Sequence, residues 1–252
     1  MASGFILGRQ KDVAVIFLLL WIDIIGIFTV YRLNDCIDQN ESFEFNLRQC
    51  LSYKKHQWAL VQLAVIIPLS FMFISREVFN ILAIAAIAGT LYSLTLRVEG
   101  KRYRIKNMFF LKNILIGLSW GALILVGAGT VQNPLVISMF LFASIQVFIG
   151  SIIRDIPDVE KDKENGVNSI PVVNGIPWTL KFLQITNVLS LASIIWSGWS
   201  FSLFFIFFVV VVWRAYNLYF LRKDKTNPKW TQSINLYTCV LIFFVTLVMA
   251  YL

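Results

Sequence analysis

The sequence has only three cysteines and one histidine among its 252 residues. Cys36, Cys50 and Cys239 show no metal-type spacing, and so few thiols supply no disulfide framework. His56 stands alone at the entrance of an apolar run, so no imidazole cluster exists and no chemical role is assigned to it. Linkers, low-complexity tracts and internal repeats are missing too, which argues against a repeat-built transporter. A cleavable leader is not expected either. The run from Val13 to Val30 is too long for a typical signal core, lacks a small-residue cleavage site and contains Asp23. Basic helices interleaved with aromatics do not occur outside apolar segments. The net charge of +8 therefore points to cytoplasmic loops of a membrane protein, and no nucleic-acid partner is expected.

What is present is apolar. Hydrophobic residues make up 58% of the chain, against about 45–50% in soluble domains. Runs of about 20 apolar residues recur along its length, and eight spans are expected at roughly 13–31, 57–74, 78–96, 109–130, 134–153, 178–197, 200–221 and 232–251. Residues 75–77, 131–133 and 198–199 form short turns, while 32–56, 97–108, 154–177 and 222–231 form longer polar connections. Most Lys and Arg residues lie in the longer loops and the short turns carry only Arg76, which places the longer loops in the cytoplasm. The expected fold is all-α: a polytopic transmembrane bundle forming one domain over 1–252, embedded in a lipid bilayer, which is the plasma membrane if the source is prokaryotic.

Two acidic clusters abut these spans on that same side. Asp155, Asp158 and Asp162 fall at i, i+3 and i+7, which on a helix puts them on one face. Clustered carboxylates repel unless a cation holds them, and Mg²⁺ bridging to a phosphate is the commonest solution for oxygen ligands. Near the first span Asn34 and Asp38 are four residues apart and share a face, with Asp23 on its backward extension. Asp23 either joins that cavity or is a hydrogen-bonded packing residue. Facing carboxylate sets with Mg²⁺ between them would hold a diphosphate and polarise the bond that breaks. Lys101 and Arg102, in the basic loop between the clusters, are candidates for its free oxygens.

These residues resemble the signatures of the UbiA superfamily of intramembrane prenyltransferases, NDxxDxxxD and DxxxD. Asn34-Asp35-Cys36-Ile37-Asp38 is similar to the start of the first, and Asp158-Val159-Glu160-Lys161-Asp162 to the second. Lys163, Gly166 and Ser169 continue the pattern, and Asp155 fits an extra upstream aspartate. Tyr92-Ser93 and Leu111-Lys112-Asn113 look like the family's middle loop and next span. The likeness covers nearly the whole chain. Three departures stand out: Asn34 follows the first expected span, where the family has one more span ahead of it, Ser42 replaces the last aspartate of the first motif, and Leu96 replaces the lysine of a YxxxK element.

The resemblance implies Mg²⁺-dependent transfer of a prenyl group from a prenyl diphosphate to a hydrophobic acceptor, aromatic or lipid-like. It implies Asp38, Asp158 and Asp162 as metal ligands, Asn34 as their companion, and Asp35, Asp155 and Tyr92 as further substrate-site residues. Acceptor identity, chain length and oligomeric state do not follow from it. A UbiA-like terpene cyclase and a degenerate, non-catalytic homologue remain alternatives. A CDP-alcohol phosphotransferase is disfavoured, because the residues before Asp158 lack the Asp-Gly and Ala-Arg of that family's pattern.

Overall fold

The structure, a computed structural model, describes residues 108–128, 132–198 and 201–221, the backbone of 95–98 and 101–104, and isolated positions 21, 76, 79–81, 83–84, 87, 233 and 237–238. The expected spans at 13–31, 57–74 and 232–251, and much of 78–96, therefore lie outside the described residues. Arg76, expected in a short turn, is helical.

The expected helix end at 96 and the loop after it are corrected. Thr95–Val98 (β1) and Lys101–Arg104 (β2) pair antiparallel, with Thr95 opposite Arg104 and Val98 opposite Lys101. β1 alternates polar and apolar residues and carries β-branched Thr95 and Val98, and β2 carries the aromatic Tyr103, as strands prefer. The register leaves only Glu99 and Gly100 between them, a length that favours a hairpin.

Helix α1 (Leu111–Ala128) leads to α2 (Pro134–Asp155). The start of α2 is locally encoded: Asn133 Oδ1 accepts from the Leu135 N–H at 2.9 Å, and Pro134 occupies a position where no N–H is needed. The polar connection expected at 154–177 holds two short helices, α3 (Val159–Glu164) and α4 (Ile170–Asn174). Then come α5 (Ile176–Leu189), a 3-10 segment (Ser190–Ser197) and α6 (Phe201–Leu221). The tightening after Leu189 coincides with three serines. Ser190, Ser193 and Ser197 each donate a hydroxyl proton to the carbonyl three residues back, at 2.6, 2.6 and 2.7 Å, competing with the regular α pattern.

Pro134–Asp155, Ile176–Ile195 and Phe204–Leu221 are long and apolar enough to cross a membrane, and Leu111–Val126 is a shorter apolar helix. Their outward faces carry Leu118, Trp120, Val188, Phe201, Phe205 and Tyr216 exposed. So large an apolar surface suits lipid rather than water. The chain is an integral membrane protein.

Helix α2 is the centre of the described bundle. Gly117 and Gly121, one turn apart on α1, let that helix approach closely. A Cβ on Gly117 would lie 2.6 Å from the Ser144 carbonyl oxygen, and one on Gly121 would overlap Ser144 Oγ and sit 3.1 Å from the Phe140 carbonyl. Small residues that let backbones meet are the usual basis of helix packing in membranes. Two apolar clusters flank α2's midpoint. One stacks Phe142 on Phe207, ring centres 3.9 Å apart, among Met139, Ile194 and Ile206. The other joins Ile149, Ile152, Ile153, Leu183 and Leu218 with Ile170 of α4.

A polar layer separates them along α2 and α6. Arg214, 2% exposed, donates from Nε to Gln146 Oε1 and from Nη2 to the Gln146 carbonyl, each at 3.3 Å. Gln146 Nε2 donates to Asn187 Oδ1 at 3.0 Å and to Ser190 Oγ at 3.1 Å, and Asn187 Nδ2 donates to the Val211 carbonyl at 2.8 Å. An arginine inside a span is costly in lipid and is tolerated when it faces protein partners.

Two substitutions probe this packing by thermal unfolding in detergent. Gly117→Val forces α1 off α2 and is expected to cost about 1–3 kcal/mol, while Leu118→Val on the outward face leaves the midpoint nearly unchanged. Gln146→Leu removes one side-chain acceptor of Arg214 and two donations to α5 and the 3-10 segment, and is expected to cost about 2–4 kcal/mol.

Candidate functional site at the end of α2

Helix α2 ends where its sequence reaches Pro157, which has no N–H to continue the ladder. Ile156 N–H and Asp158 N–H bond to the carbonyls three residues back, each at 3.3 Å. The chain then restarts as α3 with Asp158 at its N-cap, and the Asp162 N–H reaches the Asp158 carbonyl at 2.7 Å. The three aspartates therefore do not lie on one continuous helix. Asp155 closes α2, Asp158 caps α3, and Asp162 lies within α3. The proline breaks the periodicity that the i, i+3, i+7 spacing suggested.

The far end of α3 is held by a glycine. Gly166, with φ +66°, donates its N–H to the Lys163 carbonyl at 3.2 Å, and Val167 N–H reaches back to the Asp162 carbonyl at 2.8 Å. This paired closure needs a left-handed residue, which glycine adopts without strain. The family-like Gly166 is thus explained locally: it ends the short helix that carries Asp162.

Each carboxylate has a different environment. Asp158 is exposed, and its side chain makes no hydrogen bond to cap its own helix, although aspartate at this position commonly does so. Asp162 Oδ2 is buried and has no hydrogen-bond partner. Asp155 is engaged on both oxygens: Lys112 Nζ donates to Oδ1 at 2.7 Å, and Asn113 Nδ2 to Oδ2 at 3.1 Å. Asn113 is 1% exposed and also donates to Ser151 Oγ at 2.9 Å, whose hydroxyl proton goes to the Phe148 carbonyl at 2.8 Å. Asp162 lies close enough to Asp155 for the two carboxylates to repel.

An unpartnered buried carboxylate oxygen is costly unless a cation faces it. With Asp158, four residues earlier on the same short helix, it offers hard oxygen donors of the kind Mg²⁺ prefers. Among the described residues no group of three or more His, Cys, Asp or Glu could hold a metal. The third expected ligand, Asp38, lies outside the described residues, as do Asn34, Asp35, Ser42 and Tyr92. Lys101 and Arg102 are in β2, at register positions opposite Val98 and Arg97. Sequence reasoning placed Lys112 and Asn113 in a family-like segment and assigned them no role. Their signal was a charge and an amide in the opening turn of an apolar span, where polar groups need partners.

A sequence model of the UbiA prenyltransferase family matches residues 48–249. The match includes Tyr92, Lys101, Arg102 and the 155–162 aspartates, and begins after Asn34–Asp38. No match was found among curated protein sequences. Among solved structures, one of digeranylgeranylglyceryl phosphate synthase is similar, with a TM-score of 0.68 and 20% identity over 99% of this chain and 92% of the other. A UbiA homologue from Archaeoglobus fulgidus gives a TM-score of 0.67 at 16% identity, over 100% of this chain and 93% of the other. The same homologue bound to GPP and Mg²⁺ gives 0.67 at 15% identity, over 100% and 95%. At such identities the structures speak to the fold, and the family match to the lineage: the chain, with its aspartate-bearing break after α2, belongs to the UbiA prenyltransferase family.

Proposed function

We propose that the protein is one prenyltransferase domain that moves a prenyl group from a prenyl diphosphate to a hydrophobic acceptor, aromatic or lipid-like, with Mg²⁺ as cofactor and release of diphosphate. The observation that carries this reading is the buried, unpartnered Asp162 Oδ2 on the short helix that the exposed Asp158 caps. The Archaeoglobus fulgidus homologue bound to GPP and Mg²⁺ adds support through the shared fold.

Asp158 and Asp162 would hold Mg²⁺ with Asp38 from the first motif, Asn34 and Asp35 standing beside it. When bound, Mg²⁺ neutralises the diphosphate leaving group. Tyr92, Lys101 and Arg102 would contact the diphosphate, the two cations matching oxygens left free. The acidic end faces the cytoplasm on the positive-inside reading of the loops. Breaking the allylic carbon–oxygen bond sends its electron pair to the diphosphate, the acceptor's electron pair then forms the new bond to that carbon, and the acceptor loses a proton. The apolar helices around the site exclude water, which would otherwise take the acceptor's place.

Purified protein is expected to release diphosphate from a prenyl diphosphate only with Mg²⁺ present, and EDTA abolishes release. Asp158→Ala and Asp162→Ala are each expected to lower the rate by about 100-fold or more. Unchanged release in both variants would remove the second motif from the site.

A further inference from the structure

Lys112 is in the first turn of α1, and Asp155 is the last residue of α2. Each charge opposes its own helix: an N-terminus disfavours an ammonium group, and a C-terminus disfavours a carboxylate. Neither placement is explained within its element. The antiparallel approach of α1 to α2 brings them to 2.7 Å, with the side chains only 15% and 13% exposed.

A second observation lies immediately upstream. Phe110 has φ +61°, the one positive φ outside glycine among the described residues, a backbone state that bulky residues rarely adopt. Its ring stacks on Phe148 of α2 with centroids 6.3 Å apart and meets Phe182 of α5 edge-on at 5.6 Å. The strained residue thus anchors the entry of α1 to both helices, two residues ahead of Lys112. Asn113, hydrogen-bonded to both Asp155 and Ser151, completes the attachment.

We propose that Lys112 and Asn113 are positioning residues that clamp Asp155 as a fixed counter-charge, so that Asp155 does not ligate metal and Asp162 is the carboxylate left to face the cation. The argument is one of occupancy and charge. Both Asp155 oxygens are engaged from α1, whereas Asp162 Oδ2 has no partner. Without the ammonium group, two neighbouring carboxylates would stand uncompensated and both would be drawn to the cation. The inference rests on the diphosphate reading above for its role in catalysis, while the clamp itself is tested without substrate.

The experiment uses the full chain in detergent with Lys112→Met, Asp155→Asn, the double variant and Lys112→Arg. Two readouts are taken: the unfolding midpoint as a function of Mg²⁺, and diphosphate release. Lys112→Met is expected to lower the metal-free midpoint by about 5 °C or more. It is also expected to lower the half-saturating Mg²⁺ concentration about tenfold, since one carboxylate is freed, while reducing release about tenfold. Asp155→Asn moves half-saturation about tenfold the other way, because Lys112 is then uncompensated. The double variant returns both readouts close to wild type, and Lys112→Arg stays near wild type throughout. If Lys112→Met does not accumulate as folded protein, recovery of folded protein on adding Asp155→Asn carries the same support. The proposal is overturned if the double variant weakens Mg²⁺ as severely as Asp158→Ala, which would make Asp155 a ligand. It is also overturned if Lys112→Met leaves midpoint and Mg²⁺ dependence unchanged. If wild type releases no diphosphate from any prenyl diphosphate, the functional reading falls, while the metal-free midpoints of the four variants still decide the clamp.

Discussion

The close approach of α1 to α2 is the constraint on which the described structure turns. Gly117 and Gly121 remove the side chains that would hold the helices apart, and the Ser144 backbone and hydroxyl fill the space. The contact follows the length of two antiparallel helices, so it also decides what meets at their ends. At the polar end it delivers Lys112 and Asn113 onto Asp155. The position of the acidic motif is thereby coupled to a packing contact further along the bundle. A pair of glycines with no chemistry of their own sets the geometry of a charged site.

The bundle treats buried polarity in two ways. In its middle, Gln146, Asn187, Ser190 and Arg214 satisfy one another across α2, α5, the 3-10 segment and α6. This is the expected solution where no water is at hand. Some groups remain unpartnered: the hydroxyls of Ser138, Ser144 and Ser169, the indole N–H of Trp213 and Asp162 Oδ2. The first four are neutral, and leaving each unpaired costs about 1–3 kcal/mol. The last belongs to a carboxylate, for which the cost is far larger, and it lies in the motif that the family match covers. The exception thus marks the place where the molecule expects something from outside.

Much of this was legible in the sequence, though unevenly. The expected spans at 134–153 and 200–221 coincide with α2 and α6, which are long and apolar enough to cross a membrane, while 109–130 coincides with the shorter apolar helix α1. The apolar run at 178–197 implies one helix, whereas Ser190, Ser193 and Ser197 tighten its second half into a 3-10 segment by local hydroxyl bonds. The hairpin at 95–104 was missed because its strands are four residues each, too short for periodicity to outweigh the adjoining apolar run. The helical spacing of the aspartates overlooked Pro157, which splits the run between α2 and α3.

By itself the sequence determined that the chain lives in a membrane, where its aspartates cluster and which family it resembles, since these depend on composition, run length and residue order. It also carried the local signals at Asn133, Pro157 and Gly166 that start α2, end it and close α3. Only the tertiary structure decided that the three aspartates are unequal. Asp155 is neutralised by residues more than 40 positions away, Asp158 stands open, and Asp162 keeps a buried oxygen without a partner. Spacing along a chain cannot distinguish them, because what a carboxylate can bind depends on which of its oxygens a neighbouring helix has already taken.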